Sequence, residues 1–135
     1  MYGNQLNSYR NNVKMTLTGR DLEAAVLSKC AVMLKDCQDG WQSDDISSKL
    51  NNALSFNQRV WSFLQTELAN PENPMPSKLK SDLLSLSIFI DKRTFDIMAY
   101  PAPEKLTVLI NINLNIAAGL RIKNDQPNES VAAAV

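Results

Sequence analysis

Cys30 and Cys37 are the only two thiols in the chain, seven residues apart, and histidine is absent altogether. Nearby thiols can bridge, ligate zinc or, beside a base, act as nucleophiles. None of these fits. On a helix, seven residues span about 10 Å along the axis at a rise of 1.5 Å each, beyond the ~7 Å that bridged Cα atoms tolerate. Zinc would need further Cys or His ligands, and without His the chain also lacks the usual general base. The pair reads as two small apolar side chains buried on a helical stripe, in a compartment that keeps thiols reduced.

The other residue types that carry chemistry are equally scattered. The four glycines, Gly3, Gly19, Gly40 and Gly119, form no cluster that could cradle a phosphate. Asp91, Lys92, Arg93 and Asp96 are close in sequence, but adjacent residues on a helix point in different directions, so they read as a solvated, salt-bridged face. No serine sits in a G-x-S-x-G elbow. The expectation is a protein with no catalytic, cofactor-binding or metal-binding residues, and hence not an enzyme. Fourteen Lys and Arg balance fourteen Asp and Glu, so the whole chain has no electrostatic footprint for nucleic acid or an anionic membrane. The polar start MYGNQLNSYRNN lacks a signal-peptide apolar region, and no run approaches the ~20 residues of a membrane span. A soluble, cytoplasmic protein follows.

With 135 residues, 44% hydrophobic and 21% charged, the composition is that of one globular domain. The apolar pattern predicts an all-α small bundle of four main helices near 19–39, 44–69, 77–99 and 103–121. Thr18 and Asp21 resemble a capping box opening a stripe of Leu22, Val26, Cys30, Met33 and Cys37 that ends near Gly40. Ser43-Asp44-Asp45 starts the second helix, with Ile46, Leu50, Ala53, Asn57, Val60, Trp61, Leu64 and Leu68 on one face. The prolines of NPENPMP (70–76) stop it, since each lacks an N–H and biases its predecessor away from helix. Leu6, Tyr9 and Val13 suggest a further short N-terminal helix or partner-ordered arm. Residues 1–122 form the single domain, and the tail 123–135, poor in large apolar residues, is expected to be disordered.

The segment LININLNIAAGL (109–120) fits two periods. Its centre alternates like a half-buried strand, but Leu106, Leu109, Ile110, Asn113, Ala117 and Leu120 also share one helical face. The helical pattern persists for roughly four turns, longer than a strand needs, and no partner strand exists, so a helix is expected. That choice puts Asn113 inside an apolar stripe, as Asn57 is in the second helix. A buried Asn needs hydrogen-bond partners or costs about 1–3 kcal/mol. These two are expected to be buried polar residues, either pairing to fix helix register or anchoring a bound peptide backbone.

Two helices carry more apolar residues than one stripe requires. Phe56 and Phe63 lie seven apart at the edge of the second helix's stripe, and Leu84, Ile88 and Phe95 lie nearly opposite the main stripe of the third. Such surplus is either buried between neighbouring helices or presented to a partner.

The stretches NQRVWSFLQTEL (57–68), NPMPSKLKSDLLSLSIFIDKRTF (73–95) and EKLTVLININLNIAAGL (104–120) closely resemble the FlaF family of bacterial flagellar biosynthesis regulators. The similarity extends to the Met1-Tyr2 start and to RDLEAAVLSKCAVML, covering roughly residues 1–122. The resemblance implies an all-helical cytoplasmic protein that serves as a flagellin-specific export chaperone, coupled to the post-transcriptional regulator FlbT. The resemblance does not identify contact residues; the surplus apolar side chains Phe56, Phe63, Leu84, Ile88 and Phe95 are the candidate flagellin contacts. The alternative from another class, direct binding of flagellin messenger RNA, is opposed by the balanced charge and the absence of a basic-aromatic platform.

Overall fold

The computed structural model describes residues 19–123 and is all-helical there, with no strand among the described residues. Helix α1 spans Gly19–Asp39, α2 Ile46–Ala69, α3 Ser77–Ala99 and α4 Leu106–Lys123, with a 3-10 turn at Pro103–Lys105 leading into α4. The Thr18 cap, the N-terminal helix expected around residues 2–14 and the C-terminal tail lie outside the described residues.

The segment with two possible periods is helical. Leu106, Leu109, Ile110, Asn113, Ile116, Ala117 and Leu120 are buried, whereas Thr107, Asn111 and Asn115 are exposed. Burial follows the 3.6-residue period, so an alternating strand face is ruled out.

Helix α1 corrects the sequence reading. Its buried face is Ala24, Leu27, Cys30, Ala31, Leu34 and Cys37, while Leu22 and Val26, expected in the core, are exposed. The physical reason is the partner. The most extensive packing in the molecule is between α1 and α4, where small side chains such as Ala24, Ala31 and Ala117 are buried. Close backbone approach buries the neighbouring Leu27 and Leu34 more completely than a stripe of larger residues would. At the C-terminal end of α1, Gln38 Nε2 donates to the Pro103 carbonyl and to Thr107 Oγ1, both at 2.9 Å, and so ties α1 to the start of α4.

Helix α2 also packs on α1, and α3 packs chiefly on α2. The turn between α1 and α2 is set by successive backbone bonds from Ser43 N–H to the Gly40 carbonyl and from Ile46 N–H to the Ser43 carbonyl. Between α2 and α3 the chain is held by Asn70 and Asn73, whose side-chain oxygens accept from the N–H groups of Glu72 and Met75, both at 2.9 Å. These local bonds satisfy backbone donors where the prolines forbid helix. The charged cluster of α3 lies at the surface: Asp91 accepts from Gln65 Nε2, and Asp96 pairs with Lys105 Nζ at 3.0 Å.

Candidate functional site

A chain of side-chain hydrogen bonds crosses the core between α2 and α4. Trp61 on α2 is 1% exposed, and its Nε1 donates to Asn113 Oδ1 at 2.8 Å. Asn113 Nδ2 in turn donates to Asn57 Oδ1 at 2.8 Å. An indole N–H can only donate, so the amide of Asn113 has one permitted orientation and that of Asn57 follows from it. Asn57 Nδ2 ends the chain without a partner. Asn57 and Asn113 thus join α2 to α4 across the interior, and at 0% and 1% exposure neither is open to a peptide backbone at the surface.

The five candidate contact residues fall on two separate surfaces. Ile88 and Phe95 are 55% and 60% exposed on the outer face of α3. Ile90 and Ile97 of the same helix are buried, and at 100° per residue they lie roughly 200° from the exposed pair. Leu84, above Ile88, is half-buried against the core. Phe89 and Met98 add further exposed apolar area to this helix.

Phe63 is 60% exposed on α2 and faces a different place, the groove between α1 and α2. Phe56 lines the same groove, half-buried, with Lys29 Nζ 5.1 Å from its ring centre. Two adjoining cavities of about 380 and 340 Å³ share Leu22, Glu23, Phe63 and Leu64 in their walls. The second runs on past Trp61 to Met75 in the loop before α3 and to Leu120 of α4. Leu22 and Val26, displaced from the core by the true phase of α1, therefore form the α1 wall of this groove.

Two carboxyl groups sit inside this apolar surround. Glu23 of α1 meets Glu67 of α2, and its carboxyl is pushed up to about 8, first by burial, then by its hydrogen bond to Glu67 and by that group's charge. Arg20 pulls in the opposite direction without overcoming them. At neutral pH Glu23 is largely protonated and donates to Glu67. The pair was not singled out from sequence. Its signal was weak, because Glu23 and Glu67 lie on different helices and only the correct phase of α1 brings them together.

The two thiols lie on the inner face of α1. Both are buried, and burial pushes Cys30 up to about 12 and raises Cys37 as well. Among the described residues no group of three His, Cys, Asp or Glu side chains is placed to hold a metal ion, and no helix is long and apolar enough to cross a membrane.

No curated protein and no solved structure matches the chain. The family model described as "Flagellar protein FlaF" matches residues 5–120, which include all four helices up to Leu120 of α4. On that match, over most of its length, the chain belongs to the FlaF family of flagellar proteins.

Proposed function

We propose that this chain is a cytoplasmic, non-catalytic chaperone that binds flagellin before its export and couples flagellin supply to flagellin synthesis, in concert with FlbT. The observation that carries this reading is the pair of apolar surfaces just described, with Phe63 on the α1–α2 groove and Ile88 and Phe95 on α3 left in solvent. Family membership supplies the flagellar context. Exposed large side chains grouped in this way are unfavourable in a free protein unless a partner covers them. Unpolymerised flagellin has the complementary problem, amphipathic terminal segments whose apolar faces lack their filament neighbours. Helix-in-groove packing would cover both and keep flagellin from assembling prematurely.

The full chain, tagged and expressed with flagellin, should co-purify with it. Phe63→Ser or the double variant Ile88→Ser/Phe95→Ser should weaken capture with little change in melting temperature, because these side chains contribute little to the core. If the parent captures no flagellin, or both variants capture it normally, the reading fails. Direct binding of flagellin messenger RNA is separated by a salt series: an apolar contact varies little with ionic strength, whereas phosphate contacts weaken steeply.

A further inference from the structure

We propose that the α1–α2 groove, rather than the outer face of α3, is the primary docking site, and that its occupant is an amphipathic helix carrying a Lys or Arg between large apolar side chains, with the cation seated on Glu23 and Glu67. The natural occupant, a segment of flagellin, rests on the reading above; the chemistry of the groove does not.

Three observations converge on this occupant. The walls supply apolar area from both helices, with Leu22, Val26 and Phe63 all exposed and facing the same space. The adjoining cavities share Leu22, Glu23, Phe63 and Leu64 and so give a continuous, mostly apolar recess along α1 and α2, the kind of surface on which an amphipathic helix packs. Within it, two carboxyl groups are set together where burial disfavours charge. Among the described residues no cation forms an ion pair with either carboxylate. Arg20 attracts Glu23, and Arg59 lines the adjoining cavity. The walls contributed by α3, α4 and the loop before α3 hold no charged side chain: Leu83, Ile116, Leu120, Asn73, Pro74 and Met75 complete the lining.

A cation arriving between Glu23 and Glu67 replaces the shared proton. The bound state then has two ionised carboxylates around a Lys or Arg, and the proton leaves to solvent. Because the free carboxyl titrates at about 8 and the bound one far lower, affinity rises with pH through the window below 8, by up to about tenfold per unit, and flattens above it. A purely apolar occupant gives no such slope.

The test uses the full chain with two probes. The first is a pair of synthetic helix-forming peptides with leucines on one face, one with a single lysine among them and one with glutamate there. The lysine peptide should bind at least tenfold more tightly at pH 8. Calorimetry in buffers of different ionisation enthalpy should report net proton release at pH 7, lost in Glu23→Gln, while Leu22→Ser/Phe63→Ser should weaken binding tenfold or more. Equal affinity for the two peptides, or proton release that is absent in the parent or unchanged by Glu23→Gln, overturns the proposal. The second probe is flagellin. If Ile88→Ser/Phe95→Ser abolishes capture while Glu23→Gln/Glu67→Gln and Leu22→Ser/Phe63→Ser leave it intact, flagellin is bound but not here, and the groove assignment falls while the chaperone reading survives. If the lysine peptide binds as described and flagellin does not, the groove assignment stands and the chaperone reading falls. The first 18 residues carry Arg10 and Lys14 and no acidic side chain. A tenfold gain in peptide affinity from Arg10→Glu/Lys14→Glu would identify them as the groove's resident, and would equally overturn the assignment to a partner.

Discussion

Replacing Asn113 by Leu should destabilise the protein strongly, and replacing Asn57 as well should restore most of the loss. In the parent, Asn57 Nδ2 is the one unpaired buried side-chain polar atom among the described residues. Asn113→Leu strands the Trp61 N–H and Asn57 Oδ1 in addition. At about 1–3 kcal/mol for each newly unpaired buried group, the cost is about 4 kcal/mol. Asn57→Leu behaves differently, since it removes the parent's unpaired Nδ2 but strands Asn113 Nδ2 in exchange, and should lie within about 1 kcal/mol of the parent. The double variant leaves only the Trp61 N–H unpaired and should also lie near the parent. Urea unfolding of the four proteins by far-ultraviolet circular dichroism closes the cycle, with an expected coupling well above the scatter of independent sites. Overpacking by leucine does not mimic this result, because a second enlarged side chain adds strain. If Asn113→Leu is as stable as the parent, or the double variant is as unstable as Asn113→Leu, the relay does not hold these helices together as described.

Two further expectations concern titration and thiols. Between about pH 4.5 and 8 the folded chain holds a proton on Glu23 that the unfolded chain has released, so stability falls as pH rises through that window. Discounted for the partial exposure of the groove, the effect is about 1–2 kcal/mol; Glu23→Gln should raise the melting temperature at pH 8 but not at pH 4, and equal effects at both would refute the assignment. Cys30 and Cys37 should react with a thiol reagent at pH 8 only on the timescale of unfolding, and promptly in urea, because burial holds both as neutral thiols; rapid labelling of the folded chain would contradict their burial.

The helices themselves were legible because their punctuation is strong. NPENPMP closes α2, Pro101 and Pro103 separate α3 from α4, and the length of the apolar pattern from Leu106 to Leu120 decided helix over strand. The stripe of α2 was equally readable, since Leu50, Ala53, Trp61 and Leu68 fall on one line and are all buried. The phase of α1 was not. Helical spacing allowed the line through Leu22, Val26 and Cys30, whereas the bundle buries Ala24, Leu27, Ala31 and Leu34, because the face that packs on α4 sets large side chains beside small ones that let the backbones approach. The error moved two large side chains from the groove into the core, and with them went the means of seeing the groove or the Glu23–Glu67 contact. A phase error of this kind on one helix is confined to that helix, but a site built between two helices inherits it in full.

The one-sided attachment of α3 sets the order in which the molecule comes apart. Helices α1 and α4 come from opposite ends of the described chain and share the most extensive packing, while α3, between them in sequence, rests chiefly on α2. Docking α1 on α4 closes a long loop, so it is slow to form, but once formed it does not depend on α3. Detaching α3 breaks its packing on α2 and the Asp96–Lys105 ion pair, whereas the relay from Trp61 to Asn57 lies on α2 and α4 and stays intact. Amide hydrogens of α3 should therefore exchange through a partial opening, with less protection than those of α1 and α4, which wait for global unfolding. Exchange rates equal across all four helices would show instead a single cooperative unit. As a partially independent unit, α3 gives the protein a second, open form that exposes Ile90 and Ile97 together with Ile88 and Phe95, so the apolar area on offer depends on how often that helix lifts.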